Sequence, residues 1–176
     1  MDDRYSRTAM ALHWVIAAAV LAQIAFGWYL QTVPRLTPDR TVFVNMHKST
    51  GLVIGLLIFA RIAWRVTHEP PPLPVSMPAW ERRAAQVNHA LLYACMLIMP
   101  IAGYTASNFS KFGVKLFNSI VLPPWGVDDR ATYAFFNGLH VATSYVFVAL
   151  IAIHIAAALK HFFFPRHGVF RRMLPS

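Results

Sequence analysis

The sequence contains few charged residues, and this scarcity excludes most soluble folds. Asp, Glu, Lys and Arg make up 13% of the chain, whereas 57% of its residues are apolar and 14% are aromatic. A soluble domain of this length has too little interior to bury so much apolar surface. The composition therefore predicts a protein that places most of its apolar side chains in lipid.

Cysteine is nearly absent as well. The single cysteine, Cys95, excludes an intramolecular disulfide and a metal site built from several thiolates. Because Cys95 lies inside a long apolar segment, we interpret it as a small buried hydrophobic residue.

Long apolar segments are what the sequence has in abundance. Each is near or above the length that crosses about 30 Å of hydrocarbon at about 1.5 Å per residue. Prolines separate the first two connections from the helices around them, since proline lacks an N–H and restricts the residue before it. The sequence predicts an all-α fold over residues 1–176, a single domain with a four-helix transmembrane bundle whose spans are 9–30, 44–66, 85–107 and 134–161.

Basic residues lie at the ends of these spans and predict their orientation. Ten Lys and Arg residues fall on the side that holds both termini, against six on the other side. Cytoplasmic loops carry the excess of Lys and Arg, so both termini are predicted to be cytoplasmic. No basic face suited to nucleic acid is present. The third connection, residues 108–130, is predicted to lie along the outer membrane interface as an amphipathic segment.

Eight histidines in so apolar a chain indicate a function, because an ionisable group in hydrocarbon is costly. His140 and His154 lie fourteen residues apart, which places them on nearly the same helix face and about 21 Å apart. His13 is predicted at the depth of His154, and His47 at the depth of His140. The spacing therefore predicts two histidine pairs near opposite sides of the membrane.

Two imidazoles on facing helices can hold a flat macrocycle inside a bundle, since imidazole is a common axial ligand of haem iron. Zinc is the alternative, but it usually takes three or four ligands at one depth with carboxylates around them. No acidic residue lies within a predicted span. His89 shares the depth of His13 and His154, and spacing alone does not exclude it as a ligand.

Two glycines follow His47 at four-residue steps. Gly51 and Gly55 admit two interpretations, room for a porphyrin or close contact with a neighbouring helix. Phe147 lies between His140 and His154 on their shared face, where core packing also accounts for it.

The chain resembles the bacterial cytochrome b561 family of di-haem membrane proteins over nearly its whole length. Each matching motif is short, but their order and spacing together are specific. The main motifs are Arg4-Tyr5-Ser6, Leu12-His13-Trp14, Asn45-Met46-His47-Lys48-Ser49-Thr50-Gly51, Arg61 with Arg65, His89-Ala90-Leu91-Leu92-Tyr93, Pro100-Ile101-Ala102-Gly103, His140 and His154-Ile155-Ala156-Ala157-Ala158-Leu159-Lys160-His161.

The resemblance implies two b-type haems in a bacterial inner-membrane protein. One is held by His13 and His154 near the cytoplasm and one by His47 and His140 near the periplasm. It thereby selects His13 over His89. It also implies electron transfer with ubiquinone, and a member of the family is known as a superoxide oxidase.

An expected activity follows, superoxide:ubiquinone oxidoreduction by one chain or a homodimer. Two ligands per iron leave no open position, so no residue is predicted to be catalytic. Lys48 and the cations of the outer loops are predicted either to attract superoxide or to contact lipid headgroups. Position alone suggests His161, Ser76 and Trp80 as quinone contacts. The alternatives are an electron-transfer subunit of a partner dehydrogenase and a haem-free transporter whose histidines relay protons.

Overall fold

Four long helices form most of the chain in the computed structural model, which describes residues 4–164 and 168–174. The helices are α1 (Arg7–Thr32), α2 (Pro38–Thr67), α3 (Ala79–Asn108) and α4 (Arg130–Phe163). Each is long and apolar enough to cross a membrane. They contain the four predicted spans and extend past them at both ends. The predicted helical transmembrane fold is confirmed.

Polar residues cap three of the helices. Ser6 accepts a hydrogen bond from the Ala9 N–H, and Thr37 accepts one from the Arg40 N–H directly before the proline that begins α2. Asp129 accepts from the N–H groups of two residues in the first turn of α4. Such caps satisfy backbone donors that have no partner inside the helix, and they set where each helix begins.

The helices pack in a chain of neighbours. α1 packs against α2, α2 against α3, and α3 against α4, whereas α4 has no comparable backbone packing with α1 or α2. A small apolar core joins them, and Cys95 is buried in it, as predicted. The core consists of Ile16, Val20, Ile54, Ile58, Cys95, Phe147 and Leu150. Most other apolar side chains face outward, as a lipid-embedded bundle requires.

Gly51 and Gly55 lie at helix contacts. A Cβ atom at Gly51 would lie 3.2 Å from Nε2 of Gln23 on α1, and one at Gly55 would lie 3.1 Å from Cβ of Pro100 on α3. Both glycines therefore allow α2 to approach its neighbours, which is the small-residue interpretation.

A two-stranded antiparallel hairpin follows α3. Its strands are β1 (Val114–Leu116) and β2 (Ile120–Leu122). Phe117 and Asn118 form the turn with φ values of 46° and 57°, as a tight hairpin turn requires. The sequence predicted that this stretch lies along the membrane interface, but it did not predict the strands. A strand of three residues is too short to show the alternation of polar and apolar side chains.

The two ends of the bundle are distinct. At one end, which we call the terminal end, a short 3-10 helix (Phe170–Met173) ties the chain ends together. The Trp14 Nε1–H donates to the Met173 carbonyl at 2.8 Å, and the Arg172 guanidinium donates to the Pro72 carbonyl at 2.7 Å. We call the opposite end the hairpin end. The first and last residues that the structure describes, Arg4 and Leu174, thus lie at one end of the bundle.

Asp129 provides a test of the α4 cap. Hydrogen bonds from the Thr132 hydroxyl, and then from the N–H groups of Thr132 and Ala131, lower the pKa of the Asp129 carboxyl below its ordinary value of 3.8. A lowered folded-state pKa stabilises the fold above the unfolded-state value, and this stabilisation is lost as the pH falls through the folded-state value. We expect Asp129→Ala to lower the Tm at pH 7. The difference from wild type should begin to shrink as the pH falls towards the ordinary value of 3.8, and it should be lost only as the pH falls through the lower folded-state pKa.

Thermal denaturation in detergent, followed by circular dichroism, measures the effect. Asp128→Ala is the matched control, because it removes the same charge from the residue directly before the cap. Equal destabilisation by both substitutions would contradict the capping role.

Candidate functional site

The structure brings the four predicted histidines together in two pairs. The ring centroids of His13 on α1 and His154 on α4 lie 6.2 Å apart at the terminal end. Those of His47 on α2 and His140 on α4 lie 6.3 Å apart at the hairpin end. All four side chains are partly buried. One helix, α4, therefore contributes a histidine to each pair.

Both separations fit a shared axial metal site. A metal–imidazole bond is about 2.0 Å, and the bound nitrogen lies about 1.1 Å from its ring centre, so two rings on opposite sides of one ion have centroids about 6 Å apart. The helices that contribute the two rings of each pair do not pack closely on one another. The spacing of the backbones therefore leaves room for a planar group between the rings.

His140 has the hydrogen bond expected of a metal ligand. Its Nδ1 lies 2.9 Å from the Met99 carbonyl oxygen. A carbonyl can only accept, so Nδ1–H is the donor and Nε2 keeps its lone pair. Histidines that bind metals commonly donate their other ring N–H to a backbone carbonyl, which fixes the tautomer and the ring orientation.

Two glycines lie directly against the histidines of the hairpin end. A Cβ atom at Gly103 would lie 3.0 Å from Nδ1 of His140, and one at Gly27 would lie 3.3 Å from Cε1 of His47. A side chain at either position would displace an imidazole. The sequence pattern indicated Gly51 and Gly55 as candidate neighbours of a bound group, and it did not indicate Gly27 or Gly103. The presence of Gly103 in a family motif was the available signal.

A polar network holds α2 against α1 beside His47. The Gln23 side-chain amide donates to the His47 carbonyl at 2.7 Å, and the Thr50 hydroxyl donates to Gln23 Oε1 at 2.7 Å. His47 Nδ1 is itself buried and has no hydrogen-bond partner within the described part of the chain. A buried polar atom with unused capacity is a point at which a bound group can interact.

The hairpin covers the first turns of α2 at the hairpin end. The Phe117 N–H donates to the hydroxyl of the fully buried Ser49 at 2.8 Å, and the Asn45 side chain donates to Asn118 Oδ1 at 3.2 Å. Lys48 is half-buried and donates to the Gly113 carbonyl at 2.7 Å. Its positive charge is therefore held beside the hairpin-end pair.

The other outer cations predicted to attract anions lie farther out. Arg40 is partly buried and donates to the Val33 carbonyl at 2.7 Å. Four side chains at this end are exposed to the surroundings: Arg35, Lys111, Lys115 and Arg130.

His89 lies next to the terminal-end pair. Its ring centroid is 5.3 Å from that of His154. This separation is shorter than the roughly 6 Å that two axial ligands of one metal ion require. Within residues 4–164 and 168–174, no group of three or more His, Cys, Asp or Glu side chains has the arrangement of a metal site. The geometry gives no support to a zinc centre.

Two of the three predicted quinone contacts lie close together at the terminal end. His161 Nε2 lies 3.9 Å from a carboxylate oxygen of Glu81, and Lys160 pairs with the same carboxylate at 2.9 Å while lying over the Trp80 ring. Ser76 is exposed in the loop before α3. Sequence reasoning missed Glu81, because it lies outside the predicted span.

Trp80 also lines a cavity of about 690 Å³ between α3 and α4. Arg83 and Asn88 are its other polar lining residues, and the buried Asn88 Oδ1 has no hydrogen-bond partner among the residues that the structure describes. An apolar cleft with a few polar groups at the membrane interface is the kind of site that an amphipathic ring compound occupies.

Comparisons with known proteins agree over nearly the whole chain. The sequence model of a family described as prokaryotic cytochrome b561 matches residues 4–176. Cytochrome b561 homolog 2 of Escherichia coli strain K12 is 30% identical over 173 residues, which are 98% of this chain and 92% of the relative. Cytochrome b561 homolog 1 of the same organism is 26% identical, covering 98% of each chain. A Yersinia pestis protein named probable superoxide oxidase CybB is 22% identical, covering 100% of this chain and 98% of the relative.

Gly103 tests the geometry of the hairpin-end pair. We expect Gly103→Leu to push His140 away from the Met99 carbonyl, because even a Cβ atom would lie 3.0 Å from the ring. The variant should lose the haem that the resemblance assigns to His47 and His140, measured as haem per polypeptide. Gly138→Leu is the control, since a Cβ atom there meets nothing within 4 Å. A Gly103 variant with wild-type haem content would contradict this packing.

Proposed function

The chain belongs to the prokaryotic cytochrome b561 family, whose members bind haem b and transfer electrons in the inner membrane, and we propose that two haems relay electrons through it from superoxide to ubiquinone. The observation that carries the proposal is the matched separation of the two histidine pairs, 6.2 and 6.3 Å, at opposite ends of one bundle. A single helix connects the two sites.

In the proposed arrangement, His13 and His154 hold one haem, and His47 and His140 hold the other. The centroid separations support these partners, and the shorter distance from His89 to His154 favours His13 as the second ligand at the terminal end. The excess of Lys and Arg at the terminal end supports a cytoplasmic location for that end. The hairpin end then faces the periplasm.

The side chains determine how electrons enter. A bound haem b supplies a one-electron centre. The two histidines of each pair would hold the group between them and would leave no open position for a donor, so the donor would give up its electron at the edge of the site. Along α4, His140 and His154 are about 21 Å apart, which lets the two sites span most of the hydrocarbon.

An anionic donor suits the hairpin end. Lys48 holds its charge next to His47, and exposed cations surround the outer loops. A positive field raises the local concentration of a small anion such as superoxide. The name of the Yersinia pestis relative supports the same donor. Two superoxide ions each lose one electron and become O₂, and one ubiquinone takes both electrons with two protons to become ubiquinol.

The terminal end suits the quinone. His161 and Glu81 lie together beside Trp80, and Trp80 faces the cavity between α3 and α4. We assign the quinone ring to this region, with His161 as a hydrogen-bond donor and Ser76 at its outer margin. The imidazole and the carboxylate are positioned to hand protons from the cytoplasm to the reduced ring.

The ligand assignment predicts the haem content of four variants. Replacing His13, His47, His140 or His154 by alanine should remove one haem each, because each iron loses an axial ligand. His89→Ala and His161→Ala should retain both haems and serve as controls. A pyridine haemochrome assay on purified protein measures the stoichiometry. Unchanged haem in any of the four variants would refute that ligand, and a loss in His89→Ala would reassign the terminal-end pair.

The donor and acceptor are tested with the purified chain alone. Superoxide should reduce it without a partner protein, and ubiquinone should reoxidise it. The reduction rate should fall as ionic strength rises, because salt screens the attraction between superoxide and the outer cations. His161→Ala should slow only reoxidation by ubiquinone. Stopped-flow absorbance of the haem bands separates the two steps.

The same measurement distinguishes superoxide oxidation from a role as the electron-transfer subunit of a partner dehydrogenase. The two Escherichia coli relatives are named only as cytochromes, which favours an electron-transfer subunit as the second candidate. A chain that superoxide fails to reduce, but that a dehydrogenase reduces in membranes, would establish that role instead.

A further inference from the structure

A cavity of about 360 Å³ lies at the terminal end, apart from the one beside Trp80. It is bounded by the first turn of α1, the last turns of α2, Tyr93 on α3 and the start of the proline-rich loop. Three arginines line it, Arg4, Arg61 and Arg65, together with one acidic residue, Glu69. No ion pair joins Glu69 to these arginines in the described part of the chain. The lining thus has an excess of positive charge.

Arg61 is the innermost of the three. It is partly buried and lies about one and a half turns inside the end of α2, within a membrane-spanning helix. Its Nη1 donates to the Ala9 carbonyl at 3.0 Å. A guanidinium has five N–H donors, so most of its capacity is left. A charge in hydrocarbon is costly unless it is paired, and among residues 4–164 and 168–174 no acidic side chain forms an ion pair with Arg61.

Arg61 also lies beside the terminal-end histidines. Arg61 is hydrogen-bonded to the Ala9 carbonyl, and Ala9 lies one helical turn before His13. The guanidinium is close enough to interact electrostatically with His13, His154 and His89. The cavity therefore adjoins the proposed cytoplasmic haem site.

Arg65 extends the same surface by one turn of α2. Its guanidinium lies 5.3 Å over the Tyr93 ring, and Tyr93 is one turn from His89 on α3. Stacking on an aromatic face fixes the plane of a guanidinium while leaving its N–H groups available at the edge. The two arginines thus present forked donors to one cavity.

We propose that Arg61 and Arg65 bind the propionate carboxylates of the haem held by His13 and His154. A planar guanidinium matches a carboxylate with two parallel hydrogen bonds, and haem carries two carboxylates at one edge. The pairing also neutralises the otherwise unpaired charge of Arg61 within the membrane. This inference rests on the proposed function, because it requires a haem at the terminal-end pair.

Haem release from the intact holoprotein provides the test. We expect Arg61→Gln to speed transfer of one haem to excess apomyoglobin by about tenfold or more, from the loss of a charge-assisted pair. Its midpoint potential should fall, because removing a positive charge favours the oxidised iron. Arg61→Lys, which keeps the charge but loses the fork, should release haem at an intermediate rate. Arg7→Gln is the control, since Arg7 begins α1 but does not line the cavity.

A spectroscopic readout distinguishes direct contact from a general charge effect. With haem labelled by ¹³C at the propionates, redox-difference infrared spectra should show carboxylate bands that shift in Arg61→Gln and not in Arg7→Gln. Unshifted bands or an unchanged release rate would overturn the proposal. A release effect that disappears when anionic lipids are omitted from nanodiscs would assign the cavity to a lipid phosphate instead.

The proposed function can fail separately. A wild-type chain with fewer than two haems, or a His13→Ala variant that keeps both, would contradict the ligand assignment before any arginine variant is examined.

Discussion

Placing an imidazole in hydrocarbon is costly unless its nitrogens have partners, and the two histidine pairs are subject to this constraint at both ends of the bundle. α4 contributes one ring to each pair, at a spacing that returns to the same helix face. The opposing rings come from α1 and α2, whose backbones pack more closely on each other than on α4. Where the rings of α1 and α2 face those of α4, the ring centroids lie 6.2 and 6.3 Å apart.

The neighbours of these rings hold them by small steric and polar contacts. Gly27 and Gly103 let the backbone approach the imidazoles of the hairpin end, and the Met99 carbonyl fixes the tautomer of His140. The amide of Gln23 anchors α2 at the residue that carries one of the rings. At the terminal end, the Arg61 guanidinium lies close enough to His13 and His154 to interact with them electrostatically.

The four long helices and the matched depths of the histidines could be predicted from the sequence, since both depend on periodicity within single helices. The choice of His13 over His89 as the partner of His154 came from the family resemblance and not from spacing. What could not be predicted depends on how helices cross. Gly51 and Gly103 look alike in sequence, yet one lies against Gln23 and the other against His140, according to which helix is the neighbour. Glu81 was overlooked because an acidic residue outside a span has no pattern of its own. The hairpin strands were too short for alternation to show.

The 3-10 helix after α4 has a consequence for biosynthesis. Trp14 is hydrogen-bonded to Met173, and Pro72 of the proline-rich loop is hydrogen-bonded to Arg172. Trp14 and the loop leave the ribosome long before these two partners. Those early segments wait for partners that are translated only after the fourth helix. The terminal end of the bundle thus stays open until the last part of the chain has been made.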